Sequence, residues 1–360
     1  MRKKKGFRIR KALFILCAVL LLVTAGAYAL TVTIYNESFN VRFQSYEPLM
    51  LRVEDFDGLE RTQYRFPSDR GQQLTGYLYS AGESPRGLLV MAHGFGGGGH
   101  NSYMDCADFF ARRGYLVFAY DATGNDESDG EGVGGLPQGV IDLDHALSFV
   151  KQCEDIPDLP IVLFGHSWGG YSACSVLAFH PDVKAVISCS GFNDSAGMFE
   201  AEGQKLAGDG AAMLLPFFNL HERLKYGGYA SASAMNGFAA SDAAVLILHS
   251  ADDDVVPPPY GIDIYSAAYG DDPRFTFIRA ENRGHGYVYH DTTYLRQFNA
   301  ELDAWLQTLP YDPEADANKE RFAADKADYI RLRLDRTKWA SMLDTDLLDR
   351  FAAFYDAHLE

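Results

Sequence analysis

The 360-residue sequence is poor in cysteine, and its five cysteines are scattered along the chain. They occur at Cys17, Cys106, Cys153, Cys174 and Cys189, with neither a C-x-x-C pair nor a spacing typical of metal ligands. Nothing in this spacing calls for disulfides, and we expect most of these residues to be small core side chains. The sequence therefore predicts no metal site and no cofactor.

Basic residues are also scarce beyond the N-terminus. Residues 1–11 carry seven of the 32 lysines and arginines, which leaves 25 basic residues against 49 acidic ones, a net charge of −24. A body this acidic repels nucleic acid, and no basic patch interleaved with aromatic residues offsets the repulsion. We therefore expect no nucleic-acid partner.

Charged residues are absent from Ala12 to Asn36, and a membrane span needs roughly 20 apolar residues. A cleaved signal peptide is one interpretation, because Ala27-Tyr28-Ala29 resembles a small-x-small cleavage site. The apolar run continues past this site, so we favour an uncleaved signal anchor with its transmembrane helix at 12–35. The positive-inside rule then keeps residues 1–11 in the cytoplasm and the rest outside it. Cleavage would instead yield a secreted protein.

The body alternates short apolar runs with segments long enough for helices, which predicts parallel strands joined by right-handed crossovers. After a linker at about Asn36–Pro48, two alternating strands are predicted at Leu59–Pro67 and Gln73–Ser80, at an antiparallel edge. The apolar runs that follow are Leu88–Ala92, Tyr115–Tyr120, Ile161–Phe164, Val183–Ser188, Ala244–Leu248 and Phe275–Ile278. The predicted fold is an α/β sheet covered by helices on both faces.

Two segments depart from this alternation. The interval at about 192–243 is too long for a structureless loop, so we interpret it as a cap of short helices inserted into a domain spanning 36–309. Thr293–Leu309 is predicted to be the closing helix of that domain. Residues 310–360 form a C-terminal helical extension that begins with a linker, Pro310–Ala317. Its apolar stripe is expected to pack on the domain and consists of Leu343, Leu347, Phe351 and Tyr355.

Ser167 lies where a buried strand turns into a helix. The run from Ile161 to Phe164 precedes it, and residues at helical spacing follow it from Trp168 to His180. Gly165 and Gly169 complete the pattern G-x-S-x-G, in which small neighbours let the backbone turn sharply and present the serine hydroxyl above the sheet. The alternative is a serine in an ordinary glycine-rich loop. The two interpretations are distinguished by whether the partners of a nucleophile, namely an oxyanion loop, an acid and a histidine, are present elsewhere in the sequence.

A glycine-rich stretch, residues 92–99, follows the strand at Leu88–Ala92. Glycines let backbone N–H groups approach a substrate closely, and acyl transfer needs such donors at the developing oxyanion. We assign the N–H groups of Phe95 and Trp168 to this role. A phosphate-binding loop is disfavoured because no Lys-Ser/Thr pair follows the glycines. His93 is interpreted as a structural residue.

An acid and a histidine follow later strands. Three aspartates, Asp252 to Asp254, come after the strand at Ala244–Leu248 and could orient a histidine, and the pattern alone does not choose among them. His285, between Gly284 and Gly286 after the last strand, is the predicted general base. His290 is the weaker candidate.

The order Ser, Asp, His on the ends of predicted strands resembles that of the α/β-hydrolase family, from about Leu59 to Leu309. His93-Gly94-Phe95-Gly96 resembles the family's oxyanion loop, Gly165-His166-Ser167-Trp168-Gly169-Gly170 its nucleophile elbow, and Gly284-His285-Gly286 its terminal motif. The resemblance implies an α/β-hydrolase fold. Within the family, serine esterases, lipases and prolyl-oligopeptidase-like hydrolases with a cap after the sixth strand are the most similar.

The family's acid loop, His-Gly-x-x-Asp-x-x-Val-Pro, selects among the aspartates. Alignment on Val256-Pro257 implies that Asp253 is the acid, with Asp252 in reserve because Ser250 replaces the family's glycine. The stretch Asp121–Ser128 differs from the family's motif Asp-x-Arg-Gly-x-Gly-x-Ser. This difference affects a structural loop and not the triad.

These features predict a membrane-anchored serine hydrolase that cleaves an acyl ester, with a lipid-like ester as one candidate substrate, through an acyl-enzyme. Ser167 is the nucleophile, His285 the base and Asp253 the acid that orients it. A serine peptidase acting on short peptides is the alternative within this chemistry. A non-catalytic surface protein of the same fold is the third hypothesis.

Overall fold

An eight-stranded sheet forms the centre of the structure, which is a computed structural model. The structure describes residues 2–82 and 84–359, and it describes their side chains from residue 10 onwards except at residue 209. The side chains of most of the predicted basic segment, residues 1–11, lie outside the described residues. The strands are β1 (Glu60–Pro67), β2 (Gln73–Ser80), β3 (Gly87–Ala92), β4 (Tyr115–Asp121), β5 (Ile161–His166), β6 (Ala185–Cys189), β7 (Ala244–Ser250) and β8 (Phe275–Ala280).

The strand order is β1-β2-β4-β3-β5-β6-β7-β8. β2 pairs antiparallel with β1 and with β4, whereas every other neighbouring pair is parallel. The observed strands match the predicted apolar runs to within two residues at each end, and the mostly parallel α/β-hydrolase fold is confirmed. Seven strands, all except β2, therefore point their carboxyl ends to one edge, where ligands bind in such folds.

Helices cover both faces of the sheet. They are α1 (Arg2–Phe39), α2 (Met104–Ala111), α3 (Pro137–Gln152), α4 (Trp168–Ser175), α5 (Ser195–Ala207), α6 (Leu215–Tyr226), α7 (Ala234–Ala240), α8 (Ile262–Tyr269), α9 (Thr293–Leu306), α10 (Lys319–Arg333), α11 (Arg336–Ala340) and α12 (Thr345–Asp356). Successive strand residues face opposite sides, so Leu89 and Val90 belong to different apolar clusters. Each face of the sheet thus has its own core.

Helices α5, α6 and α7 lie between β6 and β7, in the interval predicted to form a cap. Two of them begin at capping side chains. The carboxylate of Asp194 accepts a hydrogen bond from the N–H of Gly197 (2.8 Å), and the hydroxyl of Ser233 accepts one from the N–H of Asn236 (3.1 Å).

The 30 residues Arg10–Phe39 of helix α1 form a candidate membrane span by length and mean hydropathy, a criterion that signal sequences near an N-terminus also meet. The helix continues to Phe39, so the prediction of a linker starting at Asn36 is wrong for its first residues. The reason is that Tyr35 and Phe39, one turn apart, are both buried. The hydroxyl of Tyr35 donates to a carboxylate oxygen of Glu222 on α6 (3.1 Å).

The C-terminal residues pack on the sheet. Phe351 and Tyr355 of the predicted stripe are fully buried, and the hydroxyl of Tyr355 donates to the backbone carbonyl of Leu163 on β5 (2.6 Å). The structure also contains α10, which sequence analysis did not predict. Its lack of an apolar stripe explains the omission, since Ile330 is its one fully buried residue.

Replacing Phe351 with alanine is expected to lower the free energy of unfolding by about 3–5 kcal/mol, because a fully buried ring leaves a cavity. Phe354→Ala, on the half-buried side of the same helix, should cost distinctly less. Denaturant unfolding of the full chain in detergent measures both values. Equal losses for the two variants would contradict the packing of α12 described here.

Candidate active site

Ser167 lies between β5 and α4 in a turn that demands glycine on both sides. Its backbone φ is 55°, a value that non-glycine residues rarely adopt. A Cβ atom at Gly165 would lie 2.1 Å from the carbonyl oxygen of Gly169, and one at Gly169 would lie 2.0 Å from the carbonyl oxygen of Ala92. The G-x-S-x-G pattern is therefore a steric requirement of this sharp turn.

The structure brings Ser167, His285 and Asp253 together in one chain of hydrogen bonds. Nε2 of His285 lies 2.8 Å from the hydroxyl oxygen of Ser167. Nδ1 of His285 lies 2.8 Å and 3.0 Å from the two carboxylate oxygens of Asp253. Because a carboxylate only accepts, Nδ1 carries the proton and Nε2 is free to accept one from the serine hydroxyl. This is the arrangement that a serine nucleophile and its base require.

Asp253, and not Asp252, faces His285. Asp253 is 4% exposed, and one of its oxygens accepts hydrogen bonds from the N–H groups of Val255 (3.0 Å) and Val256 (2.8 Å). Burial opposes ionisation of this carboxyl, but hydrogen bonds from His249, His285 and the backbone outweigh it and hold its pKa well below the usual range. The exposed Asp252 instead accepts from the Ser250 hydroxyl and from the N–H of Gly284.

The two predicted oxyanion donors lie in the elbow and in the glycine-rich loop. Trp168 begins α4, so its N–H belongs to the first turn, where no intrahelical acceptor exists. Phe95 lies in the glycine-rich loop, and among the described residues no acceptor is bound to its N–H. The neighbouring Gly94 N–H, in contrast, donates to the Tyr103 hydroxyl (2.9 Å). Within the described residues, the N–H groups of Phe95 and Trp168 thus have no bound protein acceptor.

The other candidate histidines have structural partners. Nε2 of His93 accepts from the N–H of Ala122 (2.9 Å), and its Nδ1 donates to the carbonyl of Gly94 (2.8 Å). Nε2 of His290 lies 3.0 Å from the carboxylate of Asp105 on α2. Neither imidazole contacts Ser167.

Sequence analysis missed the role of His166, the residue before the serine. Its Nε2 donates to the backbone carbonyl of His285 (2.9 Å), and its Nδ1 lies 2.9 Å from the Tyr103 hydroxyl. Burial lowers the pKa of His166 and keeps the imidazole neutral, so its Nδ1 accepts the proton of that hydroxyl, which itself accepts from the Gly94 N–H. The network connects the histidine loop to the glycine-rich loop. Its only sequence signal was a histidine within the elbow motif.

Aromatic side chains surround the ring of Phe95. The ring of Phe95 packs edge-to-face against those of Trp168, Phe39 and Phe43, with centroid distances of 5.7, 5.7 and 5.1 Å. Within the described side chains, no group of three or more His, Cys, Asp or Glu residues is arranged to hold a metal ion.

Comparisons with known proteins agree with this fold. The family model for serine aminopeptidases of family S33 matches residues 83–229, which include Phe95 and Ser167. Monoglyceride lipase from Rattus norvegicus is 35% identical over 111 residues, which cover 30% of this chain and 35% of the lipase. Monoacylglycerol lipase from Mycolicibacterium smegmatis is 29% identical over 133 residues, 36% of this chain and 46% of that protein. The chain spans between a third and a half of the length of these curated relatives.

A solved structure, acetyl xylan esterase from Paenibacillus sp. R4, matches 71% of this chain and 87% of its own with a TM-score of 0.51 and 18% identity. That likeness concerns the fold. Together with the strand order and the elbow, it shows the fold of the α/β-hydrolase family. Among the members of that family, the chain resembles esterases and lipases.

The neutrality of His166 has a measurable consequence. Burial, reinforced by the nearby His285, lowers the pKa of His166 to about 3 from 6.5. Between these pH values the unfolded chain binds more protons at this position than the folded chain does, so folding stability rises with pH across the window. The stability difference between the wild type and His166→Gln should grow in favour of the wild type from about pH 4.5 to 6.5, by up to about 1.4 kcal/mol per pH unit. Denaturant unfolding at several pH values measures this difference. A difference that does not change with pH would contradict a neutral buried imidazole.

Proposed function

We propose that the protein is a membrane-anchored serine hydrolase that cleaves ester bonds through an acyl-enzyme. The observation that carries the proposal is the unbroken chain of contacts from the Ser167 hydroxyl through His285 to the buried carboxylate of Asp253. In this proposal Ser167 is the nucleophile, His285 the general base and Asp253 the residue that holds the imidazole in its working tautomer.

The geometry supports a two-step reaction. In the first step Ser167 Oγ attacks the acyl carbonyl while His285 Nε2 takes the hydroxyl proton, and the imidazolium then returns that proton to the departing alcohol. In the second step His285 deprotonates a water molecule that attacks the acyl-enzyme, which releases the acid and restores the serine. The N–H groups of Phe95 and Trp168 would stabilise the oxyanion formed in each step.

Apolar surroundings support an ester with a hydrophobic acyl chain as the substrate. The rings of Phe39, Phe43 and Trp168 meet at Phe95, beside the proposed oxyanion position. Two of the relatives are named for monoacylglycerols, glycerol esters of one fatty acid. We therefore propose a monoacyl lipid or a similar amphiphilic ester, and no cofactor.

The surface of the cap supports action at a membrane. Its exposed large apolar side chains are Leu206, Met213, Leu220 and Leu224. The last two flank His221 on α6, which lies 3.3 Å from the Tyr28 hydroxyl of the apolar helix α1. Exposed apolar groups of this kind mark membrane or protein contacts. We propose a single span with the catalytic domain outside the cytoplasm.

Alkaline carbonate extraction tests whether the span is retained. Retention of the chain in the membrane pellet supports an uncleaved span, whereas release into the supernatant would favour a cleaved signal peptide.

A serine peptidase acting on short peptides is the second candidate, favoured by the match to the serine aminopeptidase model. Amide and ester cleavage use the same acyl-enzyme chemistry, so the triad alone does not separate them. Comparison of kcat/KM for a monoacylglycerol and for aminoacyl p-nitroanilides distinguishes the two. The proposal expects the monoacylglycerol to be preferred, and preference for the anilides would reverse the assignment.

Two neighbouring aspartates give a matched test of the triad. Asp253→Asn is expected to reduce kcat for p-nitrophenyl esters by roughly 10³- to 10⁴-fold, because the amide no longer fixes the tautomer of His285. Asp252→Asn, one position away and turned toward Gly284, should change kcat by less than about threefold. Ser167→Ala should remove the activity above the background of hydrolysis. Equal effects of the two asparagine variants would argue against the triad.

A further inference from the structure

The chain that leaves helix α1 runs directly beside the oxyanion loop. We call residues 39–45 the juxtamembrane segment and residues 94–99 the oxyanion loop. The rings of Phe39 and Phe43, from the segment, pack edge-to-face on the ring of Phe95, from the loop, with interplanar angles of 76° and 70°. Trp168 packs on the same ring at 86°. The segment and the nucleophile elbow therefore both contact the Phe95 ring.

The segment and the loop also share a carboxylate. The carboxylate of Asp126 accepts hydrogen bonds from the backbone N–H and from the side-chain hydroxyl of Ser45, both at 2.6 Å. The same carboxylate accepts from the N–H of Gly99 at the end of the loop (2.8 Å). The backbones approach so closely that a Cβ at Gly98 would lie 2.2 Å from the Ser45 hydroxyl oxygen.

The segment itself is firmly held on the body. The N–H of Phe43 donates to the carbonyl of Gly124, and the carbonyl of Phe43 accepts from the N–H of Asp126, both at 3.0 Å. The guanidinium of Arg42 donates to the carbonyls of Ser128 (2.8 Å) and Gly130 (2.9 Å). Phe43 therefore presents its ring to Phe95 from a fixed backbone.

The oxyanion loop needs such support because of its composition. Five of its six residues are glycine, and glycine loses more conformational freedom on ordering than any other residue. Gly94 is held at one end by Tyr103 and Gly99 at the other by Asp126. Between these ends the Ser102 hydroxyl donates to the carbonyl of Gly97 (3.1 Å), and Phe95 carries the one side chain, so packing of its ring is the side-chain contact that acts on Phe95 itself.

We infer that the juxtamembrane segment is a positioning element of the oxyanion hole, in which Phe43 acts through the ring of Phe95. The inference rests on the proposed function, since it concerns the donor that stabilises the oxyanion in that reaction. It also links helix α1 to the proposed chemistry, because α1 ends at Phe39, within the segment itself. Donors help only when they are aimed at the developing charge, so displacement of Phe95 should weaken transition-state binding more than substrate binding.

Phe43→Ala in the full chain tests the inference. We expect kcat for a p-nitrophenyl ester to fall by about 10- to 100-fold, with KM changed by less than about threefold. A larger decrease in kcat is expected only when an oxyanion donor is lost completely. Phe43→Leu, which retains most of the apolar volume, should recover at least about a third of the wild-type kcat. Ser45→Ala, which loses one contact to Asp126, should reduce kcat by less than Phe43→Ala does.

The matched control is Phe179→Ala. Phe179 also stacks on an aromatic ring, that of Tyr229 (4.8 Å), but it does not contact the oxyanion loop. Its removal should leave kcat unchanged. Rates are divided by the fraction of chains that a fluorophosphonate labels at completion, so that misfolded protein does not count.

A trifluoromethyl ketone inhibitor, whose adduct with serine carries an oxyanion, provides the second readout. Its inhibition constant should rise for Phe43→Ala in proportion to the loss of kcat/KM, whereas a purely structural defect would leave the inhibition constant of the labelled fraction unchanged. An unchanged kcat or an unchanged inhibition constant in Phe43→Ala, with an active wild type, would overturn the inference alone. A wild type without esterase activity or labelling that depends on Ser167 would overturn the proposed function and the inference with it.

Discussion

The backbone turn at Ser167 is the constraint on which the rest of the site depends. The serine adopts a positive φ, and the turn closes only because Gly165 and Gly169 have no side chains. Gly169 also packs directly against the carbonyl of Ala92, at the end of β3. The nucleophile elbow and the oxyanion loop therefore begin next to each other. A strained conformation of this kind persists only where its surroundings hold it, and here the surroundings are the central strands of the sheet.

The remaining groups come from loops that leave other strands, and hydrogen bonds join them into one unit. His285 follows β8 and Asp253 follows β7, while His166 connects the backbone of the histidine loop to Tyr103 and thus to Gly94. His166 serves as a connector because burial keeps it uncharged, so it donates at one nitrogen and accepts at the other. The arrangement therefore combines one ionised carboxylate with two histidines of different roles.

Much of this architecture follows from local patterns in the sequence. The parallel strands appear as apolar runs, and the elbow, the glycine-rich loop and the final histidine are short motifs that follow such runs. The contacts of Tyr103 and of Phe43 with the oxyanion loop were not predictable in this way. They join residues that are distant in sequence, and neither partner carries a periodicity that points to the other. The choice of Asp253 over Asp252 by geometry likewise required the loop conformation, since both residues precede Val256-Pro257.

The proposed chemistry requires that Ser167 attacks an acyl carbonyl with the help of His285. Mass spectrometry of peptides from the full chain, after reaction with a fluorophosphonate, tests it most directly because the adduct marks the nucleophilic atom. We expect one adduct per chain, on the peptide that contains Ser167, and markedly slower labelling of a His285→Ala variant. An adduct on a different residue, or labelling at an equal rate without His285, would contradict it.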